Sequence, residues 1–465
     1  MKFRFFLFLP LLFVVLTALK TDSPDYDQDL LSPEFHAGRR EALRKLMPDS
    51  SCAVFFSAPV RNRANDVDYD FHQDPNFYYL TGFREPNAML IVFKEKQRID
   101  TVFTDEILLV QEKNPGQEAW TGRRYGPAGA SEHFKIRYVI SGRDFDRLLV
   151  DFKSFEHVFA FPEPNDIRDN ADDPADLYSL VKKFFARASG KKLDTRRLGQ
   201  MMAMLRQIKQ PEEMVLLRKA IEISNQAHIE VMKALTAGMT EYHIQAMMEY
   251  EFRMRGAETV GYPSICGAGE NSCILHYTSN RKPMEKNDLI VVDAGAEYHG
   301  YTADITRTMP ANGKFSPEQY IIYNIVLEAQ EAGIKASIKG NEFRAPHKAA
   351  IAVIKKRLKA LGIIQHEEDY GRYFFHGTSH YLGLDVHDAG MYGHLTPGNV
   401  ITVEPGIYIP EGSPCDPKWW NIGVRIEDDI LITETEPEVL SAAVPKGAAE
   451  IEKMMEKESY LNKRQ

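Results

Sequence analysis

Residues 289–310 read LIVVDAGAEYHGYTADITRTMP, and this stretch decides the fold of the second half of the chain. Its apolar and β-branched residues predict two strands, and a two-residue turn that includes His299 predicts that they form a hairpin. Because side chains alternate between the two faces of a strand, such a turn places Asp293 and Asp304 on one face, directly opposite or diagonal. Two carboxylates in this position can share a metal ion.

Three further stretches place a potential metal ligand in or beside an apolar strand: FFHGTSHYLG with His380, VITVEPGIYI with Glu404 and GVRIEDDILIT with Glu427. An unpaired charge is costly to bury there, so something must neutralise the carboxylates. Two divalent ions would balance the four negative charges, and oxygen ligands with one imidazole suit Mn²⁺ or a similar cation. Any one carboxylate alone is better interpreted as a strand end facing water, but the set of five favours a metal site.

Arg425 and Glu427 are two residues apart and therefore share one face of the strand predicted in GVRIEDDILIT. This spacing places a guanidinium group beside the carboxylate, where it would orient the carboxylate and favour its ionised form. A plain ion pair without any metal would show the same spacing, so the pair supports the metal site only together with the other four ligands.

Four motifs resemble those of the pita-bread metallopeptidases, specifically the Xaa-Pro aminopeptidase (aminopeptidase P) branch: VVDAGAEYHGYTADITRT, HGTSHYLGLDVHD, VEPGIYI and GVRIEDD. The resemblance extends to an N-terminal domain shared with prolidase and creatinase (QDPNFYYLTGFREPNAML), the first catalytic helix (RQIKQPEEMVLLRKA), a histidine loop (GENSCILHYTSN) and a C-terminal helix (VPKGAAEIEKMM). It covers the chain from Pro33 to Met455. The fold class that it implies is α+β, with an N-terminal α/β domain followed by a C-terminal pita-bread catalytic domain.

The resemblance implies a distinct place for each metal ligand. Asp304 and Glu427 would bridge two divalent ions, Asp293 would complete the site of one ion, and His380 with Glu404 would complete the other. Glu404 would also take up and pass on the proton that the reaction moves. Both ions would be Mn²⁺.

Five other residues receive supporting roles from the same resemblance. His387 and His276 would donate hydrogen bonds to the substrate carbonyl, and His376 would line the site. Arg425 and Tyr408 would orient the ligands, since metal ligands need support from surrounding groups. A single histidine is more often an ordinary core or surface residue, and this alternative stays open for each of the three.

The implied reaction is hydrolysis of the N-terminal Xaa-Pro bond, which releases the first residue from peptides with proline second. The nearest alternative is a prolidase, which cleaves Xaa-Pro dipeptides with the same five ligands. A non-catalytic pita-bread module that binds peptides is the remote alternative, because such modules have lost the metal ligands that this chain retains. A creatinase-like reaction is disfavoured, since that relative lacks this metal set.

The resemblance also implies a homo-oligomer, either a dimer or a tetramer. Trp120, in EAWTGRRYG, occupies the place of a tryptophan that in this family reaches toward the active site of a neighbouring subunit. An ordinary core aromatic is the alternative for Trp120, because tryptophan is highly buried on average.

The composition of the chain excludes some function classes. With 465 residues, 44% of them hydrophobic and 26% charged, it has an ordinary globular composition and room for two or three domains. The net charge of −9, without a long basic run, argues against a nucleic-acid partner. Four scattered cysteines are unlike a disulfide framework, so we expect them to be mostly free, although Cys266 and Cys273 are close enough in sequence to pair.

Residues 1–20 are predicted to be a signal-like segment. A basic start precedes an apolar run from Phe5 to Leu19, which is short for a membrane span, and a polar stretch follows. The cleavage signal after Ala18 is imperfect because Leu16 is bulky where a small residue is preferred. We expect export to the periplasm or the extracellular space, with an uncleaved membrane anchor and a buried helix as alternatives.

Two domains are predicted after this segment. In residues 31–192, apolar strands (CAVFFSAP, AMLIVF, TVFTDEILLV, RYVIS and HVFAFP) alternate with helical stretches, which is typical of an α/β domain. The polar stretch SGKKLDTRRLGQ marks the passage to the catalytic domain in residues 207–455. Helix starts are predicted there at Pro211, after Thr240 and after Ser316.

Overall fold

The computed structural model describes residues 26–464, so the predicted signal-like segment, residues 1–20, lies outside the described residues. The helices of the first half are α1 (Pro33–Leu46), α2 (Pro75–Thr81), α3 (Pro115–Thr121), α4 (Gly126–Phe134) and α5 (Leu177–Arg187). Its strands are β1 (Ser51–Phe56), β2 (Asn62–Ala64), β3 (Val67–Asp68), β4 (Met89–Ile99), β5 (Val102–Val110), β6 (Val139–Ser141) and β7 (His157–Ala160).

A five-stranded sheet in the order β6-β5-β4-β1-β7 forms the centre of this half. Strands β1, β4 and β5 pair antiparallel, whereas β7 and β6 add parallel strands at the two edges. Successive residues of β1 point to opposite faces of the sheet and pack in two different hydrophobic cores. Ala53 packs in the core that contains Phe35 of α1, and Val54 packs in the core that contains Phe184 of α5. All five strands predicted from the sequence lie in this sheet, which has helices on both faces.

Helix α6 (Thr195–Arg206) occupies the stretch that the sequence predicted as a polar passage. Asp194 caps its first turn by accepting a hydrogen bond from the backbone of Arg197 at 2.9 Å. Leu198, Met201 and Met202 recur at the spacing of one helix face and are buried in the same cluster as α1. This apolar face explains why the passage is helical despite its polar beginning.

The helices of the second half are α7 (Pro211–Ala234), α8 (Glu241–Met254), α9 (Pro317–Ala336), α10 (Ala345–Ala360) and α11 (Ala448–Met455). Its first strands are β8 (Thr259–Val260), β9 (Ile265–Ala268), β10 (Leu289–Asp293), β11 (Ala296–Tyr298), β12 (Tyr301–Thr302) and β13 (Thr306–Pro310). The later strands are β14 (Val400–Val403), β15 (Gly406–Ile409), β16 (Ile422–Arg425), β17 (Asp428–Leu431) and β18 (Glu438–Val439). All of these strands pair antiparallel, in short pieces interrupted where the predicted ligands occur.

The predicted helix starts are confirmed. Pro211 is the first residue of α7, Thr240 is the N-cap of α8, and Ser316 is the N-cap of α9, where its hydroxyl accepts the backbone N–H of Gln319. Such caps satisfy N–H groups that have no partner within the helix. Helices α7 to α10 pack on the strands through one large apolar core, which is the α+β arrangement expected for the pita-bread domain.

The hairpin of residues 289–310 has its turn at His299 and Gly300, because Tyr298 pairs directly with Tyr301. Both turn residues have positive φ, at 50° and 85°, which a type I′ turn requires. In the same register Asp293 pairs with Thr306, and Asp304 is therefore diagonal to Asp293 on the shared face.

The four cysteines are free, as expected, and Cys266 and Cys273 do not pair. Between residues 26 and 464, no helix is both long and apolar enough to cross a bilayer.

Candidate metal centre

All five predicted metal ligands line a single cleft of about 650 Å³. Each carboxylate lies at the end of a strand or in the break between two strands, where the backbone leaves the regular ladder and the side chain can turn inward. Asp293 ends β10, Asp304 lies between β12 and β13, Glu404 between β14 and β15, and Glu427 between β16 and β17. His380 lies on the segment whose next residue, Tyr381, bridges to β14.

Three of these residues are close enough to hold one ion. Asp304, His380 and Glu427 each offer one ligand atom, and these atoms all lie within 4.8 Å of one another. Nε2 of His380 is 3.3 Å from Asp304 and 3.5 Å from Glu404. Nδ1 of His380 lies 3.1 Å from the carbonyl oxygen of Tyr381. Since a carbonyl can only accept, Nδ1 carries the proton and the lone pair of Nε2 faces the carboxylates, as a metal ligand requires.

Tyr262 bridges two of the carboxylates. Its hydroxyl lies 2.6 Å from Asp293 and 2.6 Å from Asp304. Thr306 has a matching role for Glu427, to which its hydroxyl donates at 2.6 Å. Neither supporting residue was predicted from the sequence. Thr306 could have been found from its position two residues after Asp304 on the same strand face, whereas no local pattern marks Tyr262.

Arg425 contacts a different ligand from the one that its spacing indicated. Its guanidinium group donates to Asp293 at 2.7 Å, to Tyr408 at 3.0 Å and to the hydroxyl of Thr306 at 3.2 Å. Thr306 links Arg425 to Glu427, and the positive charge of Arg425 opposes the rise in the pKa of Glu427, as the sequence spacing predicted. Because β16 ends at Arg425, the guanidinium group is linked to Glu427 through the hydroxyl of Thr306 rather than by a direct hydrogen bond.

The carboxylates of the site are hard to ionise together. Burial raises the pKa of Glu404 to about 8, and the charge of Glu427 contributes to this increase. Burial and the neighbouring carboxylates also raise the pKa of Asp304 and of Glu427 well above their usual range. Arg425 alone does not offset four negative charges, so this donor set fits divalent cations, which would favour the ionised carboxylates.

The three predicted histidines also line the cleft. His376 lies 2.8 Å from the carbonyl oxygen of Gly377 and 2.9 Å from the hydroxyl of Tyr408, and burial with the charge of Arg425 lowers its pKa to about 3. The ring of His387 is 4.4 Å from that of His380, and burial with this neighbouring ring lowers the pKa of His387. His276 lines the cleft as well, and its side chain is exposed. His376 and His387 are therefore neutral hydrogen-bonding groups at pH 7.

Trp120 lies on α3 outside this cleft, and 90% of its surface is exposed. The alternative of an ordinary core aromatic is therefore wrong for Trp120.

Comparisons with known proteins identify a family for each half of the chain. Residues 215–434 match Metallopeptidase family M24, and residues 36–159 match the aminopeptidase P N-terminal domain. A Xaa-Pro aminopeptidase of Haemophilus influenzae is 37% identical over 92% of this chain and 99% of its own length. Aminopeptidase PepP of Pseudomonas aeruginosa superposes with a TM-score of 0.82 and 35% identity, over 94% of this chain and 100% of its own.

The structure of aminopeptidase P from E. coli with the inhibitor Pro-Leu has the same TM-score of 0.82, at 36% identity, over 94% of this chain and 100% of that chain. Both halves of the chain, the sheet domain and the metal-ligand domain, are thus covered by the same relatives. The chain therefore belongs to metallopeptidase family M24 and is a metal-dependent hydrolase with the aminopeptidase P type of N-terminal domain.

Proposed function

We propose that this enzyme releases the first residue from peptides whose second residue is proline, with two Mn²⁺ ions as cofactor. The observation that carries the proposal is the convergence of five ligand side chains from distant parts of the sequence in one cleft. The relatives named Xaa-Pro aminopeptidase over nearly the whole chain support it. All five ligand positions keep metal-binding side chains, which disfavours a non-catalytic peptide-binding module.

In this proposal Asp304 and Glu427 would hold both ions, Asp293 would help to hold one of them, and His380 with Glu404 would help to hold the other. When bound, two divalent ions polarise the scissile carbonyl and make water a nucleophile at neutral pH. Glu404 reaches the same cleft from the loop between β14 and β15, and it is the group best placed to accept a proton and pass it to the departing proline nitrogen.

The neighbouring side chains position the substrate and the ligands. His276 and His387 donate hydrogen bonds to the oxygen of the scissile carbonyl, where negative charge develops during attack. His376 is held by Tyr408 and lines the cleft, and Arg425 keeps Asp293 and Tyr408 in place. The neutral imidazole of His387 can give a hydrogen bond without adding positive charge beside the metal ions.

The charges in the cleft favour an aminopeptidase over a prolidase. A dipeptidase needs a cation for the carboxylate of the proline itself, and a longer peptide would leave that cation buried without a partner. Among the residues that line the cleft, Arg425 is the one lysine or arginine, and its three nitrogens already donate to Thr306, Tyr408 and Asp293. The cleft thus offers no spare cation to a dipeptide.

Hydrolysis of matched substrates tests the proposal. Protein stripped with chelator and reloaded with Mn²⁺ should cleave Xaa-Pro-Xaa tripeptides with kcat/KM at least ~10-fold above Xaa-Pro dipeptides, a difference of about 1.4 kcal/mol. A preference for dipeptides would assign the chain to prolidase instead. Binding of proline-containing peptides without hydrolysis of either substrate would support the non-catalytic module.

A homo-oligomer, dimer or tetramer, is part of the proposal. It is supported by Trp120, whose large apolar ring is exposed on a helix with no buried residue. Such a ring on the surface of a single chain suits a contact with a second copy. Light scattering of the parent and of Trp120→Ala should show a lower mass for the variant, and a monomeric parent would refute this part.

Export to the periplasm or the extracellular space is proposed from the sequence of residues 1–20 alone. If this segment is a cleaved signal, the chain recovered from its host should begin between about Leu19 and Ser23. An intact Met1 on protein from the membrane fraction would support the anchor, and an intact Met1 on cytoplasmic protein would refute export.

A further inference from the structure

A second groove of about 770 Å³ adjoins the metal cleft. Its walls come from the start of α10 and from residues 370–379 and 392, and they are rich in aromatic side chains and contain one arginine: Phe343, Arg344, Tyr370, Phe374, Phe375 and Tyr392. Pockets of this size hold ligands as large as several amino-acid residues. Nothing in the proposed chemistry of the metal centre uses these residues.

The groove and the metal cleft form one continuous surface. His376, Gly377, Ser379 and Tyr392 line both of them. A peptide whose scissile bond lies at the metal ligands can therefore continue into the groove along these shared residues without leaving the protein surface.

Two aromatic rings give the groove an apolar platform. Phe375 is 55% exposed and Tyr392 is 54% exposed, although both are held by other rings. The ring of Phe375 packs 5.4 Å from that of Tyr408, and the ring of Tyr392 packs 4.7 Å from that of Phe343. Aromatic faces that are fixed and yet exposed are suited to contact an apolar side chain of a ligand.

The groove is also positive, in contrast to the acidic metal cleft. Its lining contains no aspartate or glutamate, even though the whole chain carries a net charge of −9. Arg344 is exposed, and its guanidinium group has no ion-pair partner among residues 26–464. It lies at the N-cap of α10, which has no acidic residue in its first turn, so it adds to the positive end of the helix dipole. An anionic group bound here would relieve this unfavourable arrangement.

We propose that this groove binds the part of a peptide substrate that follows the proline, with an apolar side chain on Phe375 and Tyr392 and a carboxylate near Arg344. The inference rests on the proposed function, because it assigns a direction to the peptide in the metal cleft. It gives the enzyme a preference for longer peptides that carry an acidic residue after the proline.

Charge decides the direction of the peptide. The first residue of an aminopeptidase substrate carries a free amino group, which is mostly protonated at neutral pH. Arg344 repels such a cation, and the groove has no carboxylate to receive it. The amino end is therefore excluded from the groove and stays at the metal ligands, and the carboxyl side of the peptide extends toward Arg344.

Two peptides that differ in one charge test this groove. Each contains Xaa-Pro-Gly-Phe followed by Glu or Lys, with an amidated C-terminus so that the last side chain is the sole difference in charge. Mn²⁺-loaded parent enzyme should cleave the Glu peptide with kcat/KM about 10-fold above the Lys peptide, and Arg344→Glu should reverse this order. The ratio of kcat/KM for the Glu peptide to kcat/KM for the Lys peptide, measured on one enzyme preparation, does not depend on how much metal that preparation has bound.

Lys356→Glu is the matched control, because Lys356 is an exposed cation on the same helix, about 18 Å further along its axis. This variant makes the same change in net charge and should keep the ratio of the parent. Equal ratios in Arg344→Glu and Lys356→Glu would overturn the proposal. Phe375→Ala should raise KM for the five-residue peptides more than for Xaa-Pro-Gly amide, and equal effects on both would also overturn it. If loaded parent cleaves none of these peptides, the proposed function itself fails.

Discussion

The ammonium group of Lys209 lies 2.7 Å from a carboxylate oxygen of Asp388, in an ion pair that is almost completely removed from solvent. The other oxygen of Asp388 accepts from Arg206, whose guanidinium group also donates to Asn76 of α2 at 2.8 Å. Gly383 permits this approach, since a Cβ there would lie 2.3 Å from Asp388. The segment between the two halves of the chain is thus joined to the residue that directly follows His387.

Removal of Lys209 should therefore destabilise the fold strongly. Burial raises the pKa of Asp388, but Arg206 and Lys209 outweigh it and keep this pKa below its usual range. Lys209→Met leaves the buried carboxylate with one cation instead of two, and we expect a loss of about 3–5 kcal/mol in the free energy of unfolding, measured by urea denaturation. Lys219→Met is the control, because Lys219 pairs with Glu222 on the surface and its loss should cost less than about 1 kcal/mol.

The two aspartates of the hairpin should differ in their effect on metal content. If Asp304 holds both ions and Asp293 holds one, Asp304→Ala should retain less Mn²⁺ than Asp293→Ala after dialysis against limiting metal. Metal analysis of the folded variants measures this difference, and circular dichroism confirms that both are folded. Equal metal content in the two variants would contradict the bridging position of Asp304.

Tyr262→Phe should weaken metal binding without unfolding the protein. A hydroxyl has one proton and can donate to Asp293 or to Asp304, but its oxygen lies within hydrogen-bond distance of both and restrains their orientation. Loss of such an outer contact typically costs about 10–100-fold in metal affinity or activity. Competition with a chelator measures the affinity.

Tyr323→Phe is the control for this experiment, since its hydroxyl donates at 2.7 Å to the carbonyl oxygen of Lys446, outside the metal cleft. This variant should lower stability but leave metal affinity unchanged. The positioning role of Tyr262 would be refuted if both tyrosine variants bound Mn²⁺ as tightly as the parent.

His36 should make the stability of the metal-free protein depend on pH. Burial lowers the pKa of His36 from 6.5 to about 4, and its Nδ1 lies 3.0 Å from the carbonyl oxygen of Tyr79. Between these two pH values the unfolded chain binds a proton that the folded chain does not, so the free energy of unfolding falls as the pH falls from 6.5 to 4. The full contribution of this group is on the order of 3 kcal/mol.

Urea denaturation at pH 7 and pH 4.5 should therefore show a smaller loss of stability for His36→Gln than for the parent. His394→Gln replaces an exposed histidine and should follow the parent. If the free energy of unfolding of His36→Gln depended on pH as it does in the parent, groups other than His36 would account for the loss of stability at low pH.

Local sequence signals predicted much of the fold. The turn at His299 and Gly300, the caps at Thr240 and Ser316 and the five strands of the first domain depend on residues that are close together in the chain, so their patterns are visible in the sequence. The convergence of the five candidate ligands in one cleft was predictable for a related reason, since charged side chains in apolar strands are costly unless something binds them.

Tertiary structure decided which side chains support those ligands. Tyr262 reaches Asp293 across 31 positions of sequence, and Arg425 reaches the same carboxylate from a strand 132 positions away. The sequence spacing placed Arg425 near Glu427, but it did not predict that Thr306 would link the two or that the guanidinium group would donate to Asp293. The sequence by itself determined most of the elements and the set of five candidate ligands, because these depend on local periodicity and on the cost of buried charge. The contacts among ligands, supporting residues and the adjoining groove depend on how separate strands pack, which no local pattern encodes.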